Sequence, residues 1–242
     1  MQAVILAGGL GMRLRPITET VPKPMVEVAG VPYLEHQIRM LARQEIRDIV
    51  MLTGYLGEQI ETYFGSGSRL DVSMRYSKEP EPLGTAGALR LAEPLLREEF
   101  LVIYGDSYLP IDYRPILHLL NISGVTGVVT VYDNRLGDTS VKSNIALDSH
   151  QSITAYAKDS AASLPLEYVD AGVLAFRREI VNLIPPQQNV ALEQEILPLL
   201  ISRKALRGYI TAQRFYDIGT LERIQSIEHY FAHDYHANAI SN

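Results

Sequence analysis

Residues suited to phosphate chemistry sit at three points of the chain. The first is the loop Ala7-Gly8-Gly9-Leu10-Gly11-Met12-Arg13-Leu14-Arg15-Pro16, which follows a short apolar run at residues 2–6. Glycines placed directly after a strand let the backbone turn tightly and bring bare N–H groups against a ligand. Arg13 and Arg15 add cations, and Lys23, between Pro22 and Pro24, is carried on a stiff, extended backbone. Amides and fixed cations together suit a polyphosphate. The second point is Asp106, where the apolar run 100–104 gives out after Gly105. The third is Asp217, among Phe215, Tyr216 and Ile218, where an idle charge is costly to bury. Two carboxylates completed by phosphate oxygens and water are what Mg²⁺ prefers. Taken alone, either aspartate reads equally as a turn or helix cap, or as half of a salt bridge, and a glycine-rich turn is common.

Several chemistries are disfavoured. The loop is not Gly-x-Gly-x-x-Gly, because Leu14 stands where the third glycine would be, and no Gly-Lys-Ser/Thr occurs. A dinucleotide-dependent oxidoreductase would also need an acid at the end of the second strand, where the chain has Thr53-Gly54. The six histidines form no motif for a general base. With no cysteine there is neither a disulfide framework nor a thiolate metal site. Twenty-two Lys and Arg against 28 Asp and Glu, net −6, argue against a general nucleic-acid surface. No stretch reaches membrane-spanning length and no basic segment precedes an apolar core at the start, so the expected location is the cytosol.

The elements that must position these groups alternate. Residues 46–53, 70–76 and 100–104 read as strands after the first, with helices at 31–43, at 55–64 and from the 79–87 loop through Leu91. Alternation of this kind predicts an α/β fold with an open, mainly parallel sheet covered on both faces. Ligands of such sheets bind beyond the carboxyl ends of the strands. The glycine loop, the 79–87 loop and Asp106 all follow strand ends, so they should open onto one edge. The second half changes texture. Strand-like runs at 127–132, 144–147, 153–158, 167–176 and 206–213 suggest an added, partly antiparallel layer, with helices at 177–184, 190–201 and from Thr220 to about Phe231, then a frayed tail. Ile224, Ile227, Tyr230 and Phe231 of the last helix pack on the core or on a second subunit, which leaves a homo-oligomer open. The 242 residues are expected to form a single domain in parts 1–125 and 126–220, with 221–242 as terminal helix and tail.

The string Leu6-Ala7-Gly8-Gly9-x-Gly11-x-Arg13-Leu14-x-Pro16-x-Thr18, followed by Pro22-Lys23-Pro24-Met25, resembles the signature of the sugar-1-phosphate nucleotidyltransferases. Later segments extend the resemblance over most of the chain. Pro82-Leu83-Gly84-Thr85-Ala86-Gly87 is similar to the corresponding loop of mannose- and heptose-1-phosphate guanylyltransferases. The resemblance implies a Rossmann-like, three-layer, mainly parallel fold with a small antiparallel sugar-binding addition. It implies nucleotidyl transfer from a triphosphate, GTP first, to a sugar 1-phosphate, with Mg²⁺ as cofactor. Uridylyl, thymidylyl or cytidylyl transfer, or a non-catalytic nucleotide-sugar-binding homologue, are the alternatives.

Residue by residue, the resemblance makes Arg13, Lys23 and Asp106 catalytic and gives the metal to Asp106 and Asp217. It sets the nucleotide against Leu6, Ala7, Gly8, Gly9, Gly11, Arg13, Glu81, Gly84, Thr85 and Gly87. Gly105, Lys158, Asp170, Gly172 and Glu193 fall to the sugar phosphate. Lys158 follows Ala157 where the family usually has a sugar-contacting glutamate, so the sugar identity is left open. Guanine presents N–H donors and needs acceptors, for which Glu79 and Glu81 are available. A sugar phosphate is already ionised, so attack on the α-phosphorus with loss of pyrophosphate needs alignment and charge neutralisation rather than a base.

Overall fold

A computed structural model of the chain describes residues 1–135, 139, 141–157 and 166–239, with side chains of the last helix described as far as residue 232. The opening apolar run forms β1 (Gln2–Leu6). A small hairpin of β2 (Glu27–Val28) and β3 (Val31–Pro32) then delivers the chain into α1 (Tyr33–Arg43). Next come β4 (Asp48–Thr53), α2 (Gly57–Phe64) and β5 (Ser73–Lys78). They are followed by α3 (Gly84–Leu91), β6 (Glu99–Tyr104) and the two-residue β7 (Ser107–Tyr108). β1 pairs parallel with β4 and with β6, and β4 pairs parallel with β5.

Alternate residues of these strands enter opposite cores. Ala3, Ile5, Ile49, Met51, Leu101 and Ile103 join Leu34 and Ile38 of α1 and Ile60 of α2. Val4, Val50, Leu52, Phe100 and Val102 join Ala86 and Leu89 of α3 on the other face. A strand buried on both faces needs apolar residues at every position, which is why these segments read as unbroken runs.

The second half begins with α4 (Arg114–Ser123), a helix that the sequence reading passes over. Pro115 in its first turn and the buried Ile116, Leu117 and Leu120 are the signals that mark it. Then follow β8 (Gly127–Asp133), β9 (Ile145–Leu147), β10 (Ile153–Tyr156) and β11 (Tyr168–Arg177). β11 joins the halves, lying antiparallel to β6, β8 and β9. The segment expected as a helix at 177–184 is a 3-10 helix, Arg178–Leu183. The one expected at 190–201 splits into a π-helical turn, Leu192–Ile196, and α5 (Leu197–Ser202). β12 (Leu206–Thr211) pairs parallel with β8, closing a nine-stranded sheet among the described residues.

The chain ends with β13 (Tyr216–Asp217) and α6 (Leu221–Ala239). α6 continues past Phe231 to Ala239, where the sequence suggests a frayed tail. Its Ile224, Ile227 and Phe231 are buried in the chain's own core, which answers for these side chains the choice between core and second subunit. Among the described residues no helix is long and apolar enough to cross a membrane.

Candidate active site

The carboxyl ends of β1, β4, β5 and β6 open onto one cleft of about 560 Å³. Leu6, Ala7, Gly8 and Gly9 line it from the first loop, Gly54 and Tyr55 from beyond β4, and Glu79, Glu81, Gly84 and Thr85 from beyond β5. Lys23, Tyr104 and Asp106 close the side nearest β6. The expected convergence of strand ends is therefore present for these residues.

Glycines set the shape of the first wall. A Cβ on Gly8 would lie 2.6 Å from Glu79 Oε1, so the 79–87 loop can close on the glycine loop because no side chain intervenes. Gly11 has φ +62° and a Cβ there would lie 2.9 Å from Thr18 Cγ2. The Thr18 hydroxyl in turn donates to Gly11 O at 2.9 Å, tying the loop's two arms. Burial pushes the Glu79 carboxyl up from its ordinary range, and the Leu83 N–H donated to its Oε2 at 2.9 Å opposes this. Gly84, at φ +71°, would meet Val190 O at 2.5 Å if it carried a Cβ. Gly87 faces the Gln188 carbonyl in the same way, and it is this neighbour rather than the cleft that it meets.

Asp106 stands in a turn held from both ends. Gln37 of α1 donates its Nε2 to Tyr104 O at 3.0 Å and to Ser107 O at 2.6 Å, spanning Gly105 and Asp106. Gly105 packs against Leu6 O, which a Cβ would approach to 2.7 Å, so the turn stays flush with β1. β13 then pairs antiparallel with β7, setting Asp217 opposite Ser107, and Ile218 N–H donates to Asp106 O at 3.2 Å. Residues 111 positions apart in sequence are thereby neighbours. Both carboxylates act on one buried hydroxyl: Tyr33 is pushed well above its usual range by burial first, then by the charges of Asp106 and Asp217.

The cations divide between the two acids. Lys23 Nζ is paired with Asp106 Oδ2. Arg223 of α6 reaches both oxygens of Asp217, at 3.0 and 2.9 Å, while Gly219 N–H donates to Oδ1 at 2.7 Å. Arg13 is exposed, and its Nη2 lies 3.4 Å from where a Cβ on Gly219 would be, beside Asp217 rather than along the glycine wall.

Of the residues expected for the sugar phosphate, Asp170 and Gly172 lie on β11, Gly105 in the turn after β6 and Glu193 in the π-helical turn that meets α3. Glu193, open from sequence to being an ordinary surface glutamate, is 7% exposed. Its Oε2 accepts the Thr85 hydroxyl at 3.0 Å and its Oε1 accepts the Tyr104 hydroxyl. Thr85 Oγ1 also accepts Leu192 N–H at 2.7 Å. Asp170 accepts the Tyr156 hydroxyl at 2.8 Å and the Gly172 N–H at 2.8 Å. Gly172, at φ +80°, passes so close to Ser107 that a Cβ would lie 2.4 Å from the serine Cβ. Tyr104 is pushed far up by burial, then by Asp170, Glu193 and Tyr156. Lys158 lies outside the described residues.

The sequence reading misses Gln37, Tyr104 and Arg223. Tyr104 carries a local signal, a hydroxyl ending an apolar strand just before Gly-Asp. Gln37 sits on a helix 67 and 70 residues from the carbonyls it holds, and nothing local marks it, whereas Arg223 follows Asp217 by six residues in the first turn of α6, a short spacing that is a local signal for the pair.

A glycine-rich loop, strand-end acids and cations gather at one edge of a doubly covered sheet, which makes this an α/β protein with a cleft beyond its strand ends. The sequence profile described as nucleotidyl transferase matches residues 2–233, and the chain belongs to that family. The chain is 32% identical over 227 residues to a mannose-1-phosphate guanylyltransferase of Mycobacterium tuberculosis, covering 92% of this chain and 62% of the relative. The mannose-1-phosphate guanyltransferase of Saccharomyces cerevisiae is also 32% identical over 227 residues, covering 90% and 61%. The chain thus spans about three-fifths of the length of these curated relatives. Among solved structures, HddC from Yersinia pseudotuberculosis, complexed with GMP-PN, superposes with TM-score 0.79 at 24% identity over 95% of this chain and 99% of that one. A UDP-glucose pyrophosphorylase from Acinetobacter baumanii gives 0.78 at 20% over 95% and 92%. At such identities the two structures speak for the fold alone.

Proposed function

We propose that the chain transfers the guanylyl group of GTP to a sugar 1-phosphate of the mannose or heptose type, releasing pyrophosphate. The observation that carries this reading is the β7–β13 pairing, which sets the Asp217 strand against Asp106 at the mouth of the glycine-lined cleft. The names of the guanylyltransferase relatives support the choice of nucleotide and sugar.

In this reading residues 1–125 take the nucleotide and 126–220 the sugar phosphate, with 221–242 behind them. The triphosphate lies along the amides of Gly8, Gly9 and Gly11. The base meets the 79–87 loop, where Glu81 is exposed and one oxygen of Glu79 is already committed to Leu83 N–H. Lys23 and Arg13 neutralise phosphate charge, each such contact contributing about 3–4 kcal/mol to the transition state. Asp170, Gly172 and Glu193, with Tyr104 and Thr85, shape the sugar side. A sugar-phosphate oxygen forms the new bond to the α-phosphorus, and the bond to the β-phosphate oxygen breaks, its electrons leaving with pyrophosphate.

The acids fit a Mg²⁺ ion. Both are carboxylates on paired strand ends, and among the described residues no cluster of three His, Asp or Glu forms a complete protein cage. Mg²⁺ takes one or two carboxylates and completes its shell with phosphate and water. Asp106 and Asp217 would hold it, and it would supply charge neutralisation at the reacting phosphates. The test is a pyrophosphate-release assay with GTP, UTP, dTTP and CTP against mannose, glucose and heptose 1-phosphates. GTP with mannose or heptose 1-phosphate should turn over fastest. Faster turnover with another triphosphate would reassign the base, and no release with any pair would favour a binding homologue.

A further inference from the structure

The two acids proposed for the metal are each held by a cation of the chain, and the two cations differ in kind. Asp217 is pinned by a backbone N–H and by Arg223, a planar guanidinium in contact with both carboxylate oxygens. Asp106 is held at Oδ2 by Lys23, with the Ser107 hydroxyl 3.4 Å from Oδ1. An ammonium on a four-carbon stem is a compact, movable charge. The Lys23 side chain is 12% exposed and that of Asp106 33%, so the pair is partly desolvated and screened less than a surface pair.

A divalent cation binding a carboxylate already in contact with an ammonium is repelled by that charge and competes with it for the oxygen's lone pairs. Lys23 in place therefore opposes metal binding at Asp106, and its departure favours it. The same cleft offers a cause for the departure, because Lys23 shares it with Gly8 and Gly9, where phosphates would lie.

We infer that Lys23 is an interlock: in the empty protein its ammonium occupies Asp106, and a polyphosphate entering the glycine loop draws it off, opening the carboxylate to metal only when there is phosphate to coordinate. This rests on the reading of Asp106 as a metal ligand. It orders the events, with nucleotide preparing the metal site, and it keeps free metal from settling unproductively in the empty cleft.

The first arm of the test titrates Mn²⁺ by electron paramagnetic resonance, without nucleotide. Lys23→Met and Lys23→Gln should each bind Mn²⁺ at least about tenfold more tightly than the unaltered chain, since a charge a few ångströms from the site is removed. The pair of variants, with melting curves, guards against one that fails to fold. Adding Asp106→Asn should abolish the gain. Affinity unchanged or weakened in both lysine variants, with Asp106→Asn still lowering it, overturns the interlock and leaves Asp106 as a ligand. A gain that survives Asp106→Asn overturns both the interlock and the ligand assignment. The second arm measures GTP binding in EDTA. Asp106→Asn should tighten it about fivefold where Lys23 is present, and not in a Lys23→Met background. An equal gain in both backgrounds would mean simple repulsion by Asp106 and would overturn the inference.

Discussion

The two walls of the cleft are built from different materials. On the side of β1, β4 and β5 the lining exposes bare backbone at Gly8, Gly9 and Gly54, with Gly84 closing on Val190, among apolar side chains such as Leu6, Leu10 and Leu52. On the side toward β11 the lining residues Tyr104 and Thr85 are backed by a mesh of half-buried side chains, both of them on the buried Glu193, with Tyr156 on Asp170 beyond. A backbone wall offers the same amides to any phosphate and reads little of what is attached. A side-chain mesh fixes hydroxyls and carboxylates in place and can discriminate. In the proposed function the glycine side serves the chemistry common to any triphosphate and the side-chain mesh serves substrate choice, with Asp106, and Asp217 on the strand paired beside it, between them.

Substitutions can break this contrast or sharpen it, and the largest effect should come at the seam. Asp106→Asn should lower kcat about a thousandfold with circular dichroism unchanged, the upper range for loss of one electrostatic group. Near-normal turnover at an unchanged Mg²⁺ requirement would remove Asp106 from the metal site. Arg13→Ala should cost at least about a hundredfold in kcat. Since Arg13 stands beside Gly219, near-normal turnover would reduce it to a partner of the Asp217 strand.

At the side-chain wall, Glu193→Gln turns one of two acceptors into a donor facing the Thr85 hydroxyl. It should cost about 1–3 kcal/mol of stability. KM for the sugar phosphate should rise about tenfold while KM for GTP moves little. A stability loss with both KM values unchanged would make Glu193 purely structural. At the backbone wall, Gly84→Ala forces a Cβ to within 2.5 Å of Val190 O at positive φ, and should cost about 1–3 kcal/mol and raise KM for GTP instead.

The smallest effect lies away from both walls and sets the acid limit of the fold. Burial alone would raise the Glu35 pKa, but bonds from Arg69, Arg39 and Tyr63 outweigh it and bring the carboxyl from 4.5 to about 2. The folded value is below the unfolded one, so this stabilisation is complete above pH 4.5 and is lost as pH falls toward 2. Urea unfolding between pH 5 and 2.5 should show a shallower slope of stability against pH in Glu35→Gln.

The same contrast explains what could be read from sequence. The backbone wall was legible because its function lies in residue type: glycines after an apolar strand, and a lysine between prolines, announce themselves locally. Asp106 was legible as the acid ending a buried run. The side-chain wall was legible in composition and not in arrangement. That Glu193 is buried follows from a π-helical turn meeting α3, and no periodicity in residues 190–201 forecasts it. The β7–β13 ladder joins two-residue strands far apart in the chain, too short for any pattern. Gln37 matters through Tyr104 and Ser107, partners that its neighbours in sequence do not reveal. α4 carried a readable signal, Pro115 before an apolar stripe, and the pattern suffices once the position is examined.

The central claim is that Asp106 and Asp217 serve one centre, and a double-mutant cycle tests it most directly. kcat/KM is measured for Asp106→Asn, Asp217→Asn and the pair at saturating Mg²⁺. If both hold the same ion, the double variant should be no more than about threefold slower than the slower single variant, because residues acting as a unit are not additive. A double variant slowed by the product of the two single losses would show two independent acids and contradict the account.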